Sequence, residues 1–143
     1  MNWLSLRDGV LHAEDVPLPE IARRFGTPVY VYSRASIEAA YAEFAHAAAG
    51  RDVLVCYALK ANSNLAIIDL LARAGAGFDI VSGGELERVL AAGGSAARVV
   101  FSGVGKSEAE LRLALGAGVR CFNVESIAEL ERLSGIAATI GVR

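Results

Sequence analysis

From Val53 onward the sequence repeats one unit: a short run rich in β-branched and aromatic residues, a turn of small or polar residues, then apolar positions spaced every three or four. Strands are expected at Leu54–Leu59, Phe78–Val81, Val99–Ser102, Cys121–Val124 and Thr139–Arg143, with starts 18 to 24 residues apart. Between them, Ala66–Ala74, Glu85–Ala92, Glu108–Leu115 and Ile127–Leu133 read as amphipathic helices. Strands alternating with helices of this length build a parallel sheet, either doubly wound or closing as a (β/α) barrel. Polar residues recur at the strands' carboxyl ends, as Lys60-Ala61-Asn62, Ser82-Gly83-Gly84, Ser102-Gly103 and Asn123-Val124-Glu125-Ser126. Barrels keep their chemistry at that end. The expected architecture is therefore α/β, a partial (β/α)8 TIM-type barrel of about five βα units. A complete barrel takes about 250 residues, so a 143-residue chain holds only part of one. Its unpaired sheet edge is expected to favour association.

Helix punctuation agrees with this division. Ser107 precedes Glu110 by three, and Ser126 precedes Glu129 by three, each the pattern of a capping box. Gly75, Gly93 and Gly116 follow helical runs and suit left-handed caps. Ahead of the repeat, Ser36–Ala48 reads as a helix. Residues 1–32 carry strand signals at Val10–His12 and Val29–Tyr32 and a helix from Pro19 to Phe25. The expected division is a segment 1–32 packing outside the barrel and an incomplete barrel over 33–143.

Composition narrows the function. Net charge is −2 with 21% charged residues, which gives no basic excess for nucleic acid or anionic lipid. No stretch approaches the roughly 18 apolar residues of a membrane span, and residues 1–19 lack the continuous apolar core of a signal peptide. A cytoplasmic protein acting on small molecules is expected. Cys56 and Cys121 sit in apolar runs without CxxC spacing and read as buried free thiols; His12 and His46 stand apart from any acidic or thiol cluster, and no metal site is expected.

Twelve of the fourteen basic residues are arginine; the two lysines are Lys60 and Lys106. A guanidinium stays protonated, whereas an amine against an apolar strand can lose its proton and attack a carbonyl, the chemistry of a Schiff base. The alternative for Lys60 is an aliphatic stem covering apolar surface beneath a solvated ammonium. Gly103-Val104-Gly105-Lys106-Ser107 invites comparison with a phosphate-binding P-loop, but Val100 stands where that motif needs its first glycine. Gly75-Ala76-Gly77 precedes a strand and lacks a third glycine, which excludes a dinucleotide fingerprint.

The segment Tyr57-Ala58-Leu59-Lys60-Ala61-Asn62 resembles the lysine segment of the fold-type III pyridoxal-phosphate decarboxylases. Gly26-Thr27-Pro28-Val29-Tyr30-Val31-Tyr32, Gly77–Leu86, Phe101–Ser107 and Cys121–Ser126 are similar to the diaminopimelate decarboxylase branch, and together these segments span nearly the whole chain. The resemblance implies pyridoxal 5′-phosphate as cofactor, Lys60 as the catalytic lysine that carries it, and Ala58, Asp79 and Arg143 as further cofactor-binding positions. Asp79 could instead form a turn, and Glu85, beside the same strand end, could be a first-turn helix acid. The reaction implied is decarboxylation of meso-2,6-diaminopimelate to lysine by a homodimer whose second, β-rich domain joins the 1–32 segment. The family's ring-stacking histidine, phosphate loop, partner of the pyridine nitrogen and C-terminal cysteine and tyrosine lie later in its chain, so the isolated 143 residues are expected to be inactive. Alternatives are a decarboxylase of the same fold acting on ornithine, arginine or carboxynorspermidine, and a non-catalytic cofactor-binding or regulatory homologue.

Overall fold

The computed structural model describes residues 3–141. The chain divides into two compact units, 1–49 and 50–143.

The first unit opens with an antiparallel sheet of β1 (Leu4–Arg7), β2 (Val10–Ala13) and β3 (Val16–Pro17). Asp8-Gly9 turns β1 into β2 with φ of 49° and 77°, the positive pair of a tight hairpin whose twist matches its strands. α1 (Leu18–Phe25) begins with a proline in its first turn, where no N–H is missed. α2 (Arg34–Ala47) is capped by Ser33 Oγ, which accepts from Ser36 N at 3.0 Å. Glu14 supports the same cap: its Oε1 accepts from Ser33 Oγ at 2.6 Å and from Ala35 N at 3.0 Å. The strand expected at Val29–Tyr32 does not form. Those residues carry no regular secondary structure, and Tyr30 and Tyr32 stack on each other, Tyr30 88% exposed.

The second unit is a parallel sheet of β4 (Cys56–Ala58), β5 (Gly77–Ile80), β6 (Val99–Phe101) and β7 (Cys121–Phe122), adjacent in sequence order. Each strand leads to a helix: α3 (Leu65–Arg73), α4 (Gly83–Ala91), α5 (Glu108–Ala117) and α6 (Ile127–Ile140). Successive helices touch, α3 on α4, α4 on α5 and α5 on α6. A doubly wound sheet reverses its strand order and puts helices on both faces. Unreversed order with one continuous helical layer is the barrel arrangement.

Register makes the two sheet faces chemically different. Phe78 pairs with Val99 and Ile80 with Phe101, and all four are fully buried with Leu86, Val89 and Leu111 of the helices. Full burial of each large side chain contributes about 1.5–3 kcal/mol. Alternation places Cys56, Ala58, Gly77, Asp79, Val100 and Cys121 on the opposite face. There the strands come close: a Cβ on Gly77 would lie 2.7 Å from Arg98 O, 2.7 Å from Cys56 Sγ and 2.9 Å from Leu54 Cδ2. Gly77→Ala is expected to destabilise the chain by about 1–3 kcal/mol. A thermal-melting midpoint equal to the parent's would show that β4 and β5 separate freely.

The structure corrects three further expectations. Thr139 and Ile140 belong to α6, not to a fifth strand, so four βα units are present among the described residues. Ser134-Gly135 resembles a stop, but Ile136 is buried and Thr139 Oγ1 donates to Ile136 O at 2.7 Å, so the helix continues to Gly141, φ 74°. Gly116 lies inside α5, whose left-handed cap is Gly118. Neither thiol is buried as expected: Cys56 is half-buried, and Cys121 is exposed because β7 is an edge strand. No helix among the described residues is long and apolar enough to cross a membrane.

Candidate active site

β4 ends at Ala58 and the chain tightens at once into a 3-10 turn, Leu59–Ala61. Leu59 anchors the turn in the core with no exposure, which leaves Lys60 exposed just past the strand end. Tyr57 Oη donates to Asn62 O at 3.1 Å, Asn62 Oδ1 accepts from Asn64 N at 3.0 Å, and Asn64 Oδ1 caps α3 through Ala66 N at 2.9 Å. The backbone on both sides of Lys60 is therefore fixed while its side chain is accessible.

Asp79 stands opposite Ala58 in the β4–β5 ladder, two residues before Lys60, on the same face. It lies within a strand, so the alternative of a turn-forming carboxylate does not apply. Its Oδ1 accepts from Ser102 Oγ at 2.5 Å, and Ser102 Oγ accepts from Asn123 Nδ2 at 3.0 Å. An amide-to-hydroxyl-to-carboxylate chain thus crosses the ends of β7, β6 and β5, each bond polarising the next. Ser82 caps α4, and Glu85 Oε2 accepts from Val81 N at 2.7 Å. Glu85 holds the helix start, as a first-turn acid would. Arg143 lies outside the described residues.

Lys106 is the residue sequence reasoning left without a role. Its side chain is 0% exposed, and its three N–H donors reach Gly103 O at 2.6 Å, Asn123 O at 2.8 Å and Glu129 Oε1 at 2.6 Å. Phe101 lies beneath the ammonium, 5.8 Å from ring centroid to Nζ. Glu129 Oε2 accepts from Glu125 N at 3.0 Å, so the second expected capping box is only half made. Ser126 caps Glu129 N, while the carboxylate serves Lys106. The hydrogen bond from Lys106, then that from Glu125 N, hold the Glu129 carboxyl below its usual range. The first box is complete: Ser107 and Glu110 exchange both bonds, and Glu110 Oε1 also accepts from Gly83 N at 2.8 Å. The rarity of lysine that drew attention to Lys60 applies equally to Lys106.

Burial first, then the nearby Asp79 charge, push the Cys56 thiol up. Cys121 is exposed and is expected to alkylate with iodoacetamide at least about tenfold faster than Cys56. Peptide mapping after timed quenching checks this, and equal rates would contradict the half-buried environment of Cys56.

Fold and site together define a segment of a (β/α) barrel that presents an accessible lysine just past the end of β4 and a hydrogen-bonded carboxylate on the neighbouring β5. The chain belongs to the pyridoxal-dependent decarboxylases: residues 34–143 match the family model of their pyridoxal-binding domain. It is 64% identical over its full length to diaminopimelate decarboxylase of Pseudomonas aeruginosa, of which it covers 34%. It is 58% identical over 131 residues to diaminopimelate decarboxylase of Neisseria meningitidis, covering 92% of this chain and 32% of that one. Among solved structures, diaminopimelate decarboxylase from M. jannaschii in complex with L-lysine matches with a TM-score of 0.90 at 36% identity, over 98% of this chain and 34% of that one. The Helicobacter pylori enzyme complexed with L-lysine matches with 0.85 at 44% identity, over 88% and 32%. The chain therefore spans about a third of the length of these relatives.

Proposed function

We propose that this chain forms the lysine-bearing part of a pyridoxal-phosphate-dependent decarboxylase that converts meso-2,6-diaminopimelate to L-lysine. The observation that carries the reading is Lys60: an exposed primary amine on a fixed turn, at the barrel end where this fold places chemistry. An aldehyde cofactor suits an accessible primary amine, because a deprotonated amine attacks a carbonyl. When bound, pyridoxal phosphate supplies an electron sink for the pair left as carbon dioxide departs.

Lys60 Nζ, in its neutral form, is the nucleophile that would hold the cofactor aldehyde and yield it to the substrate's amine. Asp79, kept in one orientation by Ser102, places negative charge on the face that Lys60 follows. Ala58 is small and leaves room beside Asp79 on that face. Arg143 is assigned to the same site on resemblance alone. Residues 33–143 are read as the start of the cofactor-binding barrel, and 1–32 as a segment outside it. A homodimer is proposed from the family resemblance. The cytoplasm is proposed because two free thiols accord with a reducing compartment.

The test is product identification. Expressed from its complete gene, the protein is expected to release lysine and carbon dioxide from meso-diaminopimelate. Turnover of ornithine or arginine instead, or cofactor binding without turnover of any of the three, would overturn the assignment.

A further inference from the structure

We infer that Lys106, through its buried ion pair with Glu129, is a positioning residue for the Lys60 site. This rests on the reading of Lys60 as the cofactor-bearing lysine. The ammonium ties three separate pieces of chain at the strand ends: the loop after β6 through Gly103 O, the end of β7 through Asn123 O, and the first turn of α6 through Glu129 Oε1. All three donors are used and no buried polar side-chain atom among the described residues lacks a partner, so the arrangement has a single satisfied geometry.

The consequence runs along the sheet. Lys106 fixes the backbone of Asn123, whose side chain donates to Ser102, whose hydroxyl donates to Asp79 opposite Ala58. Asn123 and Ser102 are not themselves deeply buried, so their own packing leaves them room to turn away. The buried pair behind them fixes the backbone from which the Asn123 side chain projects. Lys106 itself, buried and fully engaged, does not meet the cofactor. It acts by holding in place the Asn123 that donates to Ser102, the hydrogen-bond donor to Asp79, and a misplacement of even an ångström at a reacting centre costs on the order of a hundredfold in rate.

The test separates holding the site from holding the fold. Lys106→Met alone leaves a buried unpaired carboxylate and can unfold the chain. Lys106→Met/Glu129→Leu removes both charges, and Ser102→Ala cuts the row between Asn123 and Asp79 without touching the pair. The 143-residue chain and each folded variant are incubated with pyridoxal phosphate, reduced with borohydride at timed intervals, and the label on Lys60 is quantified by peptide mass. Circular dichroism and melting midpoints are recorded in parallel.

Both variants are expected to label Lys60 about tenfold more slowly or worse, and the side-chain amide resonance of Asn123 in the double variant is expected to move toward that of a solvated asparagine. A purely structural pair would shift the melting midpoint and leave labelling unchanged. Parent-like labelling of Lys60 in either folded variant overturns the inference while leaving the cofactor reading intact. Failure of the unsubstituted chain to label Lys60 overturns both.

Discussion

Lys60→Arg is expected to abolish covalent capture of pyridoxal phosphate and to lower decarboxylation by the full-length gene product on the order of 10⁴-fold or more. Arginine keeps the charge and nearly the length, but its guanidinium does not deprotonate and cannot act as the nucleophile. The substitution separates chemistry from folding unusually well. Lys60 is exposed, and Leu59 rather than Lys60 anchors the turn, so stability is expected to change by no more than about 0.5 kcal/mol. A parent-like melting curve with no turnover is the predicted pair of results. Retained turnover in Lys60→Arg would mean that another group carries the cofactor.

The opposite pattern is expected at the second lysine. Lys106→Met leaves Glu129 charged, 8% exposed and without its cation, and losing one partner of a buried pair costs about 3 kcal/mol. For a chain of this size that lowers the melting midpoint by roughly 10 °C. The pH dependence has a definite sign. Glu129's carboxyl titrates below its ordinary range when folded, so its contribution is complete above the ordinary carboxylate pKa and is lost as pH falls through the lowered folded value. The parent should therefore lose stability relative to Lys106→Met/Glu129→Leu as pH falls through that window, and the double variant should melt within about 2 kcal/mol of the parent at neutral pH. An acid-melting profile for the double variant identical to the parent's would show that Glu129 is not the linked carboxylate.

The parallel unit was legible because its signals are local and repeated. Four β-rich runs, each followed by a capped amphipathic helix, leave few alternatives; β4, β6 and β7 formed within the expected segments and β5 one residue early, at Gly77. The fifth failed because Thr139 and Ile140 have strand propensity, while the burial of Ile136 and the Thr139 hydroxyl's bond to its carbonyl carry the helix on. β1 was missed although Asp8-Gly9 is a strong hairpin signal, because Leu4–Arg7 mixes apolar and charged residues in a run of only four. The position of Lys60 followed from a strand end, and that of Asp79 from the family resemblance. The Asn123–Ser102–Asp79 row and the Lys106–Glu129 pair join residues 21 to 23 apart along the chain, and only the register of the sheet brings them together.

Direct trapping tests whether Lys60 is the amine poised for an aldehyde cofactor. The chain is incubated with pyridoxal phosphate, reduced with borohydride, digested, and the phosphopyridoxyl group located by mass. The expected result is a label on Lys60, its loss in Lys60→Arg, and little on Lys106, whose three donors are already engaged. Equal labelling of the two lysines, or none on Lys60, would contradict it.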